Sequence, residues 1–183
     1  MAFSEILPYL YTKSYRVRTM PLLEICRWLE DTWVATQVRE SQYAFPVLTT
    51  IHVLSVTFSV GTLIWFDLRL AGINLHLQPV SRLYRQLMPW MMSGFAISAL
   101  SGAILFAGYA TRCYVNTPSR IKLALLLLAG ANALVYHLVT ERDIARWDSA
   151  AVPPFPARAA GVISLVLWTG VIAAGRTMAY TLF

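Results

Sequence analysis

Long runs of apolar residues separated by short polar stretches dominate the chain. Four of them, at residues 45–66, 90–110, 121–139 and 159–180, carry charged side chains only near their ends. A helix needs about 20 predominantly apolar residues to cross the hydrocarbon core of a bilayer. Because lipid offers no partners to backbone amides, a segment that crosses it must be a helix or part of a closed barrel. The continuous apolar run at 123–128 lacks the alternation of a barrel strand, so the pattern predicts four transmembrane helices.

Between residues 21 and 38 the pattern becomes that of an amphipathic helix. Leu22, Cys26, Leu29 and Trp33 recur at steps of three and four residues, which places them on one helical face. Charged residues occupy the opposite face. Such a helix either lies in the membrane interface with its tryptophans at headgroup depth or packs against the end of the bundle.

Prolines divide the remaining chain. Pro79 and Pro89 indicate a loop between the first two spans, within which residues 80–88 form a shorter amphipathic pattern, and three further prolines precede the fourth span. No internal repeat is visible, so we predict a single transmembrane domain at 20–183 after a loosely ordered tail at 1–19. Met20, which opens the better-formed segment, is a candidate translation start. The predicted fold is all-α, a transmembrane four-helix bundle with an N-terminal amphipathic interfacial helix.

Composition supports a membrane protein. The chain is 57% hydrophobic and 13% charged, whereas soluble domains carry about 25% charged residues. The net charge of +6 is explained by basic residues that anchor span ends and meet anionic lipid, so no nucleic-acid partner is expected. These flanking charges are balanced between the two sides and predict no orientation. Cys26 and Cys113 have no metal-site spacing and fall on the same predicted side.

The first span contains an unusual stripe of polar side chains. His52, Ser55, Ser59 and Thr62 follow steps of three and four residues, so they share one helical face. Such a stripe should face the bundle interior. It is either a proton, metal or cofactor site in which His52 is the ligand or proton acceptor, or a set of interhelical hydrogen bonds.

Two other spans carry features that bear on helix packing. Asn132 lies at mid-membrane, where its amide needs a partner, and His52 or a serine would provide one. Gly94, Ser98 and Gly102 form a ladder of small residues in the second span, which predicts close helix packing.

A haem b held between two histidines is the cofactor hypothesis that these spans raise. At 1.5 Å per residue, His52 would lie about 10 Å and His137 about 24 Å from the same membrane face. The mismatch of about 14 Å disfavours one haem shared by this pair. His137, His52 and the loop residue His76 therefore remain separate candidate haem or metal ligands, and Tyr136 and Glu141 would support a site at His137.

No motif for an enzyme was recognised. The sequence has no phosphate-binding glycine loop, nucleophile elbow or paired zinc-type histidines, so we expect no catalytic residues. Asp67 and Arg69, just beyond the first predicted span, would fasten a loop to the helix by ion pairing.

Several short motifs resemble an uncharacterised bacterial four-helix integral membrane family. The motifs are Asp67-Leu68-Arg69-Leu70, Pro89-Trp90, Ile121-Lys122 through Asn132, and Gly175-Arg176 with Tyr180. The resemblance covers residues 21–183. It implies a multi-pass protein of the bacterial cytoplasmic (inner) membrane and supplies no activity.

Three function hypotheses follow. The first is a non-enzymatic membrane subunit or anchor, whose partners are the lipid bilayer and either further copies of the chain or subunits of a membrane complex. The alternative is a haem b-binding membrane redox protein that uses His137 or His52. The third is a small transporter or proton-conducting element that uses His52 and Asn132.

Overall fold

The computed structural model describes residues 21–73, 78–150 and 152–182. The predicted tail at 1–19 and the candidate ligand His76 lie outside these ranges. The helices are α1 (Pro21–Glu30), α2 (Trp33–Glu40), α3 (Ala44–Ala71), α4 (Val80–Gly108), α5 (Ala110–Val115), α6 (Thr117–Val135), α7 (Ile144–Trp147) and α8 (Phe155–Leu182). A π-helical turn, Tyr136–Thr140, and a 3-10 turn, Glu141–Asp143, join α6 to α7.

Four helical segments are long and apolar enough to cross a membrane. They are α3, α4, the continuous segment Thr117–Trp147 and α8, with lengths between 28 and 31 residues. Within the described ranges the chain contains no strand. The predicted all-α transmembrane four-helix bundle is therefore confirmed.

The second span is longer than the sequence pattern predicts. The amphipathic segment 80–88 is the first part of α4, and Pro89 lies inside this helix, so the predicted loop at Pro89 is wrong. Proline removes one backbone hydrogen bond, but membrane helices tolerate it where neighbouring groups compensate. Burial holds the extension in place, because Val80 is 0% and Leu83 8% exposed, both in the apolar core that includes Phe66 and Tyr136.

The spans pack around the pair α3 and α8. Helix α3 contacts both α4 and α8, and α6 packs on α8. Gly161 permits the contact between α3 and α8, because a Cβ at this position would lie 2.7 Å from the Asp67 carbonyl oxygen and 2.9 Å from the Leu70 Cβ. Those atoms belong to a helix backbone or to its first side-chain carbon, so any larger residue would force the two helices apart.

The N-terminal segment forms two helices instead of the single predicted one. The chain turns at Thr32, whose side-chain oxygen accepts a hydrogen bond from the Ala35 N–H at 3.4 Å and so caps α2. Cys26, Ala35 and Val38 are buried against the end of the bundle. Trp28 remains 68% exposed. The pair of helices thus packs on the bundle with one face and leaves aromatic side chains on the other.

Side chains from distant segments complete the ends of several helices. Glu30 accepts hydrogen bonds from the Thr111 N–H at 2.8 Å and hydroxyl at 2.6 Å at the start of α5. At the opposite end of the bundle, Asp148 accepts from the Ser81 N–H and hydroxyl, both at 2.7 Å, at the start of α4. The four N-terminal N–H groups of a helix have no intrahelical acceptor, so Glu30 fastens α1 to α5 and Asp148 fastens the segment before α8 to α4.

Arg69 fastens two loops without an ion pair. Its guanidinium is fully buried and donates to the carbonyl oxygens of Gln78 at 3.1 Å and Ala150 at 3.0 Å. In the described part of the chain, the ion pairs are His137–Glu141 and Arg146–Asp143. The loop is therefore held as predicted at Arg69, but through backbone carbonyls, and Asp67 takes no part in it.

Candidate functional site

The first candidate site lies around His52, in the contact between α3 and α4. The His52 Nδ1 is 3.0 Å from the Ser98 carbonyl oxygen and 3.1 Å from the Ser101 hydroxyl. A carbonyl only accepts hydrogen bonds, so Nδ1 carries a proton and donates it. In the neutral ring Nε2 is then the unprotonated nitrogen.

Gly102 provides the space for this ring. A Cβ at Gly102 would lie 2.9 Å from the His52 Cε1, closer than side-chain atoms approach. Gly94 lies about two turns before Gly102 in α4. A Cβ added at Gly94 would lie 3.1 Å from the Ser59 Cβ and 3.2 Å from the Ser55 carbonyl oxygen. The small-residue ladder of Gly94, Ser98 and Gly102 thus lines the face of α4 that packs on α3.

The hydroxyls below His52 are engaged in hydrogen bonds to backbone carbonyls. Ser55 donates to the His52 carbonyl oxygen at 2.9 Å, and Ser59 donates across the interface to the Met91 carbonyl oxygen at 3.2 Å. Thr62 donates to carbonyl oxygens of its own helix, the nearer that of Ser59 at 2.8 Å. The polar stripe therefore consists of hydrogen bonds within α3 and between α3 and α4.

Asn132 does not join the stripe. Its Nδ2 donates to the Ala160 carbonyl oxygen at 3.0 Å, so it links α6 to α8. The expectation that His52 or a serine would be the partner of Asn132 is wrong. A proton-conducting pair of His52 and Asn132 accordingly gains no support from these contacts, because the two side chains bond to different helices.

His137 lies in the π-helical turn at the opposite end of the bundle. Its Nδ1 forms a close ion pair with Glu141, one turn later, and the two side chains are 38% and 30% exposed. The imidazole centroid is 5.9 Å from that of the Tyr84 ring. Tyr84 belongs to α4, so this contact joins the second and third spans.

The two intramembrane histidines contact α4 at widely separated points. His52 bonds to Ser98 and His137 contacts Tyr84, which is 14 residues earlier in the same helix. At 1.5 Å per residue this corresponds to about 21 Å along the helix axis. A haem iron cannot be ligated by both rings at that separation, in agreement with the depth difference expected from the sequence.

Two shallow depressions on the described surface are lined by residues other than the two histidines. One, of about 230 Å³, is lined by Pro46, Val47, Thr50 and Ile51 on a single face of α3. Another, of about 430 Å³, lies between α1 and α5 and is lined partly by Leu23, Arg27, Glu30, Thr111 and Arg112. Within 21–73, 78–150 and 152–182, no group of three or more His, Cys, Asp or Glu residues is placed to hold a metal ion.

A second polar cluster was missed by sequence reasoning. Asp67 is 3% and Tyr136 5% exposed, and Ser164, whose hydroxyl interacts with the Asp67 carboxyl group, is 8% exposed. The Asp67 Oδ2 and the Tyr136 hydroxyl have no hydrogen-bond partner among the described residues. The signal was an aspartate directly after an apolar run. The apolar pattern ends the first span at residue 66 and so places Asp67 outside it, whereas α3 continues to Ala71.

Comparison of the chain with protein-family models, with curated proteins and with solved structures found no match.

Proposed function

We propose that the protein is a non-enzymatic, multi-pass subunit or anchor of the bacterial inner membrane, which binds other membrane chains through its apolar helix faces. The observation that carries the proposal is the use of the first span's polar groups. His52 and Ser59 bond to α4, and Ser55 and Thr62 bond within α3. These residues hold the bundle together and present no convergent set of reactive groups.

The outer surface of the bundle offers the area for such binding. Leu127 on α6 is 75% exposed, Leu100 on α4 67% and Val166 on α8 66%. Lipid covers such residues as well as a protein partner does, so exposure alone does not select a partner. Membrane helices associate through side-chain packing and interhelical hydrogen bonds, so the proposal requires that one of these faces packs against another transmembrane helix.

Photo-crosslinking in native membranes tests this proposal. A photoreactive phenylalanine analogue placed at Leu127 should give a discrete crosslinked protein band. The same analogue at Ala129, which is 7% exposed, is the matched control and should give none. A band of twice the chain mass identifies a homo-oligomer, and any other discrete mass identifies a partner subunit. Lipid adducts alone at Leu127, Leu100 and Val166 would contradict the proposal.

One observation favours haem b binding as a second candidate function. The Nδ1 of His52 donates to a backbone carbonyl, which is the usual arrangement of a metal-ligating histidine whose other nitrogen binds the metal. His52 alone, and not together with His137, is the ligand that this geometry supports. Oxidised and dithionite-reduced absorption spectra of the purified protein test the idea. A Soret band that is lost in His52→Ala and kept in His137→Ala is the expected result, and absence of the band after expression with ample haem would exclude it.

A further inference from the structure

The depression between α1 and α5, which we call the α1–α5 groove, combines charged and apolar side chains. Its volume is about 430 Å³, and its lining includes Leu23, Arg27, Glu30, Thr111, Arg112 and Val115. The three residues from α1 follow steps of four and three, so they lie on one face of that helix. The volume falls within the range of about 300–1,000 Å³ that small-molecule sites occupy.

The α1–α5 groove lies where the second span reaches the lipid headgroups. Helix α5 begins at Ala110, two residues after α4 ends at Gly108. The 29 residues of α4 extend about 43 Å, which exceeds the hydrocarbon core of about 30 Å. No charged residue lies between Arg85 and Arg112, so Arg112 is the first charged side chain beyond the apolar part of this span. Trp28 on α1 is 68% exposed, as is typical of an aromatic side chain at headgroup depth.

The charged side chains of the groove do not pair with one another. Neither of the two ion pairs among the described residues includes Arg27, Glu30 or Arg112. Both arginines are exposed, and the Arg112 Cζ lies 5.9 Å from the centroid of the Tyr109 ring, a contact that orients the guanidinium. The Glu30 Oε1 accepts two hydrogen bonds from Thr111, and within the described ranges none reaches Oε2. The groove therefore presents two guanidinium groups and one available carboxylate oxygen.

Contacts around the groove hold its two helices in place. Arg39 on α2 donates to the Gly108 carbonyl oxygen at 3.2 Å and to the Glu30 carbonyl oxygen at 2.6 Å. It thus fastens the end of α1 to the end of α4. Beneath the groove, Cys26 and Cys113 are 6% and 2% exposed. Because these contacts already fix the lining, a ligand would pay little to order it.

The arrangement of charges matches a headgroup that carries both signs. A guanidinium binds phosphate oxygens through charge-assisted and often bidentate hydrogen bonds, and a carboxylate oxygen accepts from a primary ammonium. A purely anionic headgroup would meet the arginines but would be repelled by Glu30. Leu23 and Val115, which is 70% exposed, offer apolar contact to the glycerol backbone and the first methylene groups.

We propose that the α1–α5 groove binds one molecule of a phospholipid whose headgroup combines a phosphate diester with a primary ammonium, that is, phosphatidylethanolamine. The phosphate lies between Arg27 and Arg112, and the ammonium donates to the Glu30 Oε2. Phosphatidylcholine has the same charges but no N–H group to donate, and phosphatidylglycerol has no cation for Glu30. The bound lipid fastens α1 to the end of the second span. This inference goes beyond the anchor function and does not rest on it.

Native mass spectrometry of the full chain in detergent micelles tests the proposal, with the three lipids added in turn and carrying identical acyl chains. One phosphatidylethanolamine should bind with a Kd about fivefold lower than that of phosphatidylcholine, the scale of one exposed ion pair. Replacing both arginines, in Arg27→Gln with Arg112→Gln, should raise that Kd about tenfold. Glu30→Gln keeps an oxygen for Thr111 and should abolish the preference over phosphatidylcholine.

Two further variants separate the groove from general effects of charge and folding. Arg120→Gln removes an exposed positive charge from α6 outside the lining of the groove, so it should leave the Kd unchanged. Val115→Trp fills the groove from an exposed position without changing any charge, and it should weaken binding as the arginine replacements do.

Several results would overturn the proposal. They are equal affinities for the three lipids in the wild-type chain, an unchanged Kd in the double arginine variant or in Val115→Trp, and an equal loss in Arg120→Gln. Preference for phosphatidylglycerol would replace the zwitterionic ligand with an anionic lipid. Binding of water-soluble glycerophosphoethanolamine as tight as that of the lipid would make a soluble phosphodiester the occupant. None of these outcomes depends on whether the chain binds other subunits.

Discussion

At the scale of single residues, the position of the His52 imidazole depends on the absence of a side chain at Gly102. Gly102 leaves room for the ring, and the ring then donates to the Ser98 carbonyl on the same helix. The sequence identified His52 and Gly102 as separate features, a polar stripe and a small-residue ladder. The structure shows that the two features form one contact.

Gly102→Ala should lower the free energy of unfolding by about 2 kcal/mol, because the added methyl group displaces the ring and breaks its hydrogen bond. In a His52→Ala background the same change should cost less than about 0.5 kcal/mol, since the neighbour is gone. Reversible unfolding in mixed detergent micelles measures both values. Gly130→Ala is the control, because a Cβ at Gly130 has nothing within 4 Å. Equal costs in the two backgrounds would disprove the coupling.

Asp67 shows what the sequence pattern could not resolve at this scale. An aspartate beside an arginine two residues later is compatible with a surface ion pair. Its burial follows from the length of α3 and from the close approach of α8 at Gly161, which are properties of the assembled bundle. The residues around Asp67 in the sequence indicate neither the length of α3 nor the approach of α8.

At the scale of elements, carboxylates from elsewhere in the chain complete helix N-termini. Asp148 accepts a hydrogen bond from a backbone N–H at the start of α4, and Glu30 accepts one at the start of α5. Capping signals read from sequence concern residues next to the helix, so these two long-range caps were not predictable. Pro79 precedes α4 and provides no side-chain cap, which explains why a distant residue takes the role.

Asp148→Ala should lower the free energy of unfolding by about 2 kcal/mol, because two charge-assisted hydrogen bonds to Ser81 are lost. Ser81→Ala removes only the hydroxyl bond and keeps the bond to the backbone N–H, so it should cost roughly half as much. Chemical denaturation of the two variants in detergent gives the comparison. An Asp148→Ala cost equal to that of Ser81→Ala would show that the backbone bond does not contribute.

The docking of α1 on α5 buries two free thiols. Burial raises the pKa of the Cys113 thiol, and nearby Glu30 and Cys26 add to this effect against opposing contributions from Ser119 and Lys122. Burial, with a smaller contribution from Glu30, also raises the pKa of Cys26. Both side chains are under 9% exposed, so the thiols are shielded and remain protonated at neutral pH.

We expect maleimide to label Cys26 and Cys113 of the folded protein slowly at neutral pH, since only the thiolate reacts. Their contribution to stability should be present at neutral pH and fall as the pH rises above the ordinary thiol range, because the unfolded thiols ionise first. Labelling followed by mass spectrometry checks the first expectation. Val115→Cys, at a position that is 70% exposed, is the control that should react rapidly. Equally rapid labelling of the native thiols would mean that α1 is not docked.

At the scale of the whole molecule, four spans place successive connections on opposite sides of the membrane. The pair α1–α2, the segment around α5 and the end of α8 share one side, and the segments around Gly72 and Pro153 share the other. His52 lies towards the first side and His137 towards the second.

Cysteines at Val115 and Val152 should therefore be labelled from opposite sides. Both positions are well exposed, at 70% and 61%, and a Cys26→Ser, Cys113→Ser background removes the native thiols. In sealed vesicles of defined orientation, a membrane-impermeant maleimide should modify one position and spare the other. Inverted vesicles should give the reverse pattern. Modification of both positions from one side would contradict the four-span topology.

The sequence by itself determined that the chain has four apolar segments of membrane-spanning length and that they are helical. A segment that crosses lipid must be long and apolar and must satisfy its backbone hydrogen bonds internally. Spacing also identified the polar stripe of α3 and the small-residue ladder of α4, but as separate features. Tertiary structure alone decided the extension of α4 through Pro89, the partner of Asn132, the long-range caps and the burial of Asp67. Those features depend on which distant atoms meet, and residues far apart in the chain, such as Asp67 and Ser164, leave no local periodic trace of their contact.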